Sequence, residues 1–193
     1  MCPRSPTKNE EIRQQTRRQI RNAAFELFAA KGFAQTSVRS IAEKAGISKG
    51  LIYHYFDGKD DILHAIFNDL TEVGKEALNF PEDLSSSERL RKMLHMIFSY
   101  IEHATEVVRL MVSLALQPDA VEKLKSSIDA YNERQIRILA PLFEDLGYDN
   151  PKLEAYYLAA KLDGITLGYL TLGKDYPFAK MKEKVMNDYG SKI

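Results

Sequence analysis

Apolar residues recur at three- and four-residue intervals along almost the whole chain, while alternation with a period of two is nearly absent. That pattern predicts helices throughout and an all-α fold. A first helix over about 9–31 puts Ile20, Ala24, Leu27 and Phe28 on one face and leaves Arg13, Arg17, Arg18 and Arg21 largely outside it. Gly32 closes it, because glycine tolerates the left-handed conformation that ends many helices, and Phe33 can fold back on the last turn. Thr36 is placed to cap a short second helix, about 37–45, that buries Val38, Ile41, Ala42 and Ala45 before Gly46 stops it. Ser48 caps a third over about 49–55, and Asp57-Gly58 breaks the chain before a long fourth helix, about 59–78.

Beyond Phe80-Pro81 the composition shifts to an apolar helical bundle. Ser85 and Glu88 form a capping box ahead of a stripe of Leu90, Leu94, Ile97, Phe98 and Ile101. Further helices are expected over about 106–116, from Pro118 to about 145 with a kink at Pro141, over 151–172, and along "PFAKMKEKVMNDYG". The chain therefore divides at the Asp57-Gly58 break into residues 1–58 and residues 59–193.

Composition narrows the classes. The single cysteine, Cys2, has no partner for a disulfide or a cysteine zinc site, which fits a reducing, cytoplasmic setting. No uncharged stretch is long enough to span a membrane, and no signal-peptide core is present at the N-terminus. The net charge of zero hides an asymmetry. Residues 1–59 carry 11 basic and 5 acidic groups, and residues 60–193 carry 16 basic and 22 acidic groups. A basic head on an acidic body suits a polyanion partner for the head, although a basic surface can also be merely solvated.

The short second and third helices raise the question of what they are for. A short helix, a glycine turn and another short helix is the grammar of helix-turn-helix, whose second helix enters the DNA major groove. Counting from Val38, the fifth, ninth and fifteenth positions are Ala42, Gly46 and Ile52, which supply the small contact residue, the turn and the apolar anchor. With Ile52 and Phe56 turned inward, Lys49, Gly50, Leu51, Tyr53, His54 and Tyr55 lie largely outward. Outward aromatics need a reason, and a groove provides one through thymine methyls and phosphate oxygens.

The stretch "TSVRSIAEKAGISKGLIYHYFDGKDDIL", with "NAAFELFAAKGF" before it, closely resembles the DNA-binding domain of the tetracycline-repressor (TetR) family of bacterial transcription regulators. The likeness is dense over about Arg13 to Ile66 and beyond that extends only to an all-helical body of the expected size. It implies a three-helix helix-turn-helix domain joined to a helical-bundle ligand-binding and dimerisation domain. The implied protein is a homodimer on a palindromic double-stranded DNA operator, most simply a repressor released by a small apolar or amphipathic effector. Carried over by position, Arg39, Lys49, Gly50, Leu51 and His54 would face base edges. Ser48, Tyr53, Tyr55 and Lys59 would hold phosphates, helped by backbone amides of the second helix. Lys49, Leu51 and His54 stand where the family varies, which leaves the operator sequence open.

Other residues carry weaker signals. Phe67, Met93, Met96, Tyr100, Met111, Leu114, Tyr131 and Gln135 form the expected lining of an effector pocket, in competition with ordinary core packing. Ala160, Gly164 and Gly168 recur every four residues and suit close helix packing, either across a dimer interface or within the subunit. The four histidines show no metal-ligand spacing, and no catalytic motif is present, so neither metal, cofactor nor enzymatic activity is expected. Two rivals stay open: a DNA-binding regulator that responds to a protein partner, and a helical-bundle enzyme.

Overall fold

The structure, a computed structural model, describes residues 6–77 and 83–190; Cys2 and the Phe80-Pro81 break lie outside them. Among the described residues there are nine α-helices and no strand: α1 (Pro6–Lys31), α2 (Val38–Ala45), α3 (Lys49–Tyr55), α4 (Lys59–Ala77), α5 (Ser86–His103), α6 (Thr105–Ala115), α7 (Pro118–Asp145), α8 (Pro151–Leu172) and α9 (Phe178–Gly190). A 3-10 turn, Gly173–Asp175, joins the last two. The chain forms two compact units. One runs up to Leu70 and adds Ser113–Ser127; the other comprises Thr71–Val112 and the chain from Ile128 onward. Along the sequence, α4, α6 and α7 each pass from one unit into the other.

The first unit is built around helices too short to stand alone. Ile20, Ala24 and Phe28 of α1, Ile41 of α2, Ile52 of α3 and Ile62 and Leu63 of α4 have no exposed surface, and Phe33 packs edge-on against Phe28 at 5.2 Å. The cap of α2 differs from the expected one. Ser37, extended at φ −107° and ψ 155°, accepts the Ser40 amide and completes a capping box. Thr36 is buried instead, and its hydroxyl donates to the Gly32 carbonyl at 2.8 Å. Two hydroxyl residues compete for one cap, and the one turned toward the core satisfies a different carbonyl. Gly46 ends α2 at φ 67°, where the Ile47 amide donates back to the Ala42 carbonyl.

The second unit packs α5, α8, α9 and the C-terminal part of α7 around Leu90, Leu94, Phe98, Leu139, Phe143, Leu158, Phe178 and Tyr189. The Ser85 capping box of α5 is present, and the Ser85 side-chain and backbone hydrogen bonds hold the Glu88 carboxyl below the usual range. The Tyr189 hydroxyl donates to Glu154 at 2.7 Å; burial first, and that bond second, push its pKa up. Helix α7 continues through Pro141 as one element.

Candidate nucleic-acid interface

Helix α3 has seven residues, so its geometry is set by what holds its two ends. At the start, the Ser48 hydroxyl accepts the Leu51 amide at 3.2 Å. At the end, Arg17 of α1 donates from Nη1 to the Tyr55 carbonyl at 2.7 Å, and its guanidinium lies 4.3 Å from the centroid of the Phe56 ring. Gln19 does the same for α2, donating from Nε2 to the Ala45 carbonyl at 2.6 Å. Helix α1 thus closes the C-terminal ends of both helices, satisfying carbonyls that have no partner inside so short a helix. Ile52 and Phe56, at 0% and 2% exposure, pin the inner face.

The outer face of α3 is then fixed by elimination. Ser48, Lys49, Gly50, Leu51, Tyr53 and His54 are exposed, with Leu51 at 37% and Tyr53 at 50%. Tyr55 is half-buried, edge-on to the His54 ring at 5.2 Å. The Lys49 ammonium stands 5.8 Å from the centroid of the Tyr53 ring. Nothing lies within 4 Å of where a Gly50 Cβ would be, so another backbone could approach it closely. The face mixes one cation, two phenols, an imidazole and a small apolar side chain, a set that can read base edges and bond phosphates.

Several cations assigned to the basic surface are engaged within the unit. Arg17 serves α3, and Arg21 pairs with Asp69 of α4 at 2.9 Å. Lys44 pairs with Glu26 at 2.6 Å, and Arg39 with Glu43 at 2.9 Å. The Arg39 pair is exposed and spaced i,i+4, which makes it worth a few tenths of a kcal/mol, about 0.3–0.5, and leaves the guanidinium available to a phosphate or base. Lys59 donates to the Phe33 carbonyl at 2.8 Å and lies 4.2 Å from the centroid of the Phe33 ring. An ammonium has three donors, so this bond does not exhaust it.

Sequence patterning missed Gln117, just before α7. Its side-chain oxygen accepts the Phe33 amide at 2.9 Å while its nitrogen donates to the Ser113 carbonyl and hydroxyl at 3.1 and 3.0 Å. Phe33 is held on both sides, its amide by Gln117 and its carbonyl by Lys59. The α6–α7 corner and the loop that leads into α2 are one connected piece. No local signal could have revealed it, since the two residues are 84 apart.

The other predicted residues divide between the units. Phe67 and Leu114 belong to the first, whereas Met93, Met96, Met111, Tyr100, Tyr131 and Gln135 belong to the second. Met93 lies within the second core at 2% exposure. Tyr131 is hydrogen-bonded by Gln135 and neighbours Tyr100, and burial raises the pKa of both phenols. On α8, Ala160 and Gly164 are exposed and nothing lies within 4 Å of a Gly164 Cβ position. Gly168 is different: a Cβ there would run into the ring of Tyr176 in the same chain. Among the described residues no group of acidic, histidine or cysteine side chains could hold a metal, and no helix is long and apolar enough to cross a membrane.

A braced pair of short helices presenting a basic, aromatic face defines a helix-turn-helix DNA-binding protein. Residues 20–66 match the bacterial regulatory proteins of the tetR family, and the relatives that the chain resembles are transcriptional regulators, not enzymes. It is similar to the HTH-type transcriptional regulator BetI of Brucella suis, with 27% identity over 180 residues, covering 90% of this chain and 88% of that one. It is also similar to the fatty acid metabolism regulator protein of Bacillus subtilis, at 35% identity over 81 residues, 42% of this chain and 41% of the relative. In fold it matches NalD of Pseudomonas aeruginosa, the secondary repressor of the MexAB-OprM multidrug efflux pump, with a TM-score of 0.72 and 21% identity over 92% of this chain and 96% of that one.

Lys49 and Lys59 are expected to fail differently when replaced by alanine. Lys49→Ala should relax preference at one operator position by about 1–3 kcal/mol while leaving the melting temperature unchanged. Lys59→Ala should weaken binding to all sequences, flatten the salt dependence, and also lower the melting temperature through loss of the Phe33 contacts. Competition binding across single-base operator variants at several salt concentrations separates the two.

Proposed function

We propose that the protein is a homodimeric repressor that binds a palindromic operator through residues 1–58 and is released when a small molecule binds within residues 59–193. The observation that carries the DNA half is the split of α3: Ile52 and Phe56 are buried, while Lys49, Leu51, Tyr53 and His54 are exposed around Gly50. The dimer half is supported by α8, where Leu153, Tyr156, Tyr157, Ala160, Gly164 and Leu167 remain exposed at helical spacing while Ala155, Leu158 and Ile165 face the core. A helix apolar on both sides wants a neighbour on both sides. Regulation of lipid or related metabolism is the biological setting that fits the fatty acid regulator among the relatives.

Footprinting the purified protein on DNA upstream of its own gene tests the reading, with protection of two half-sites about one helical turn or a multiple apart as the expected result. Protection of a single half-site at all concentrations would refute the dimer, and no protection would refute the operator. Release by ligand carries a reciprocal consequence. Coupling of about 1–3 kcal/mol means that a ligand weakening DNA binding 5- to 150-fold must itself bind the operator complex more weakly by the same factor. Calorimetric titration of the ligand with and without the footprinted duplex measures both, and equal affinities would show that the ligand does not control the head.

A further inference from the structure

Arg134, on the part of α7 that belongs to the second unit, is placed unlike any arginine of the head. Its Nε is buried and has no hydrogen-bond partner. Its Nη2 reaches the Thr71 carbonyl only at 3.4 Å, long for a charged donor, and its guanidinium lies 5.5 Å from the centroid of the Tyr131 ring. No carboxylate among the described residues pairs with it, although the chain has 27 acidic groups to choose from. Arg134 is only partly buried as a residue, but a buried donor atom without a partner is costly, and each one in a native structure calls for an explanation such as a bound ion. The planar guanidinium fork suits a carboxylate, which it can bind through two parallel hydrogen bonds.

The surroundings agree with a planar anion. Tyr131, one turn before Gln135 on α7, is hydrogen-bonded by it, and Tyr100 of α5 neighbours Tyr131. Burial raises the pKa of both phenols, and a phenol O–H is a group that can donate to an oxyanion. Asp163 of α8 lies within electrostatic reach of Tyr131, and burial raises its pKa. We propose that Arg134 receives the carboxylate of a small organic acid, with Tyr131 and Tyr100 beside it, and that this acid is the effector. The inference rests on the ligand-gated reading above and adds the charge and chemistry of the ligand to it.

The test uses the full-length protein and four carboxylates as probes: acetate, benzoate, octanoate and palmitate. Octanol and octyltrimethylammonium serve as neutral and cationic counterparts. At least one carboxylate should bind the wild type by calorimetry and raise its melting temperature, and the matching neutral and cationic probes should not. Arg134→Met should lower that affinity about tenfold or more, and Arg134→Lys, which keeps the charge and loses the fork, should fall between. In the absence of probe, Arg134→Met should melt close to the wild-type temperature, because the loss of the long Thr71 bond and the Tyr131 contact is offset by removal of a buried donor that has no partner. Carboxylate binding that is the same in Arg134→Met, binding of octanol or the cation in preference to octanoate, or no binding of any carboxylate would each overturn the assignment. If octanol or the cation binds and displaces the operator, the ligand-gated reading survives without the anion. If a carboxylate binds through Arg134 and operator affinity is unchanged, the anion site stands and the ligand-gated reading falls.

Discussion

Gly164→Leu is expected to turn the protein into a monomer that keeps its helical circular dichroism and loses operator affinity by about 100- to 10,000-fold, the contribution of linking two heads on one duplex. The substitution has room inside the protomer, since nothing lies within 4 Å of the Cβ position, and it replaces a poor helix former with a good one. A fall in stability of the isolated chain is therefore not expected. The leucine would instead stand in the exposed apolar row of α8, where it prevents close approach by a second helix. Gly168→Leu makes the contrast. Its side chain would meet Tyr176 of its own chain, so it should lower the melting temperature whatever the oligomeric state. Sedimentation velocity and thermal melts of the two variants separate these effects, and a Gly164→Leu protein that remains dimeric with wild-type operator affinity would move the interface away from α8.

Ile52→Ala and Leu51→Ala, neighbours on α3, should produce opposite phenotypes. Ile52 is the buried residue of the seven-residue α3 and has no exposed surface, so its truncation should cost about 2–5 kcal/mol, the range for a buried aliphatic side chain that leaves a cavity. The loss should appear as early melting of the head and failure to bind any DNA. Leu51 is 37% exposed on the outer face. Leu51→Ala should melt with the wild type and lose affinity only for operators with a thymine methyl at the contacted step. Chemical denaturation read alongside binding to a panel of duplexes measures both. A destabilised Leu51→Ala or a stable, DNA-binding Ile52→Ala would show that the faces of α3 are assigned the wrong way round.

These two residues also mark how far the sequence reaches. Apolar periodicity placed every helix within a few residues of its observed bounds, because a period near 3.6 is a property of consecutive side chains and needs no knowledge of the neighbours. Ser48, Ser85 with Glu88, and Gly46 were legible for the same reason: a cap or a left-handed glycine acts on backbone groups within four residues. The face of α3 followed from Ile52 and Phe56, and the helix-turn-helix from the spacing of Ala42, Gly46 and Ile52. Even locally, chemistry was not always enough. Thr36 and Ser37 are equivalent as caps, and burial of Thr36 made the choice.

Only the tertiary structure decided which charged and polar side chains were already in use. Arg17 reaches across 38 residues to the Tyr55 carbonyl, Lys59 across 26 to Phe33, and Gln117 across 84 to the same residue. Such bonds end on backbone atoms, which carry no residue-specific signature, so no pattern of side chains announces them. The same limit hid the two unlike glycines of α8, identical in sequence terms and different because Tyr176 stands over one of them. It hid Arg134 as well: periodicity marks a position as inward or outward, but whether a buried charge has found a partner depends on what the fold brings within three ångströms of it.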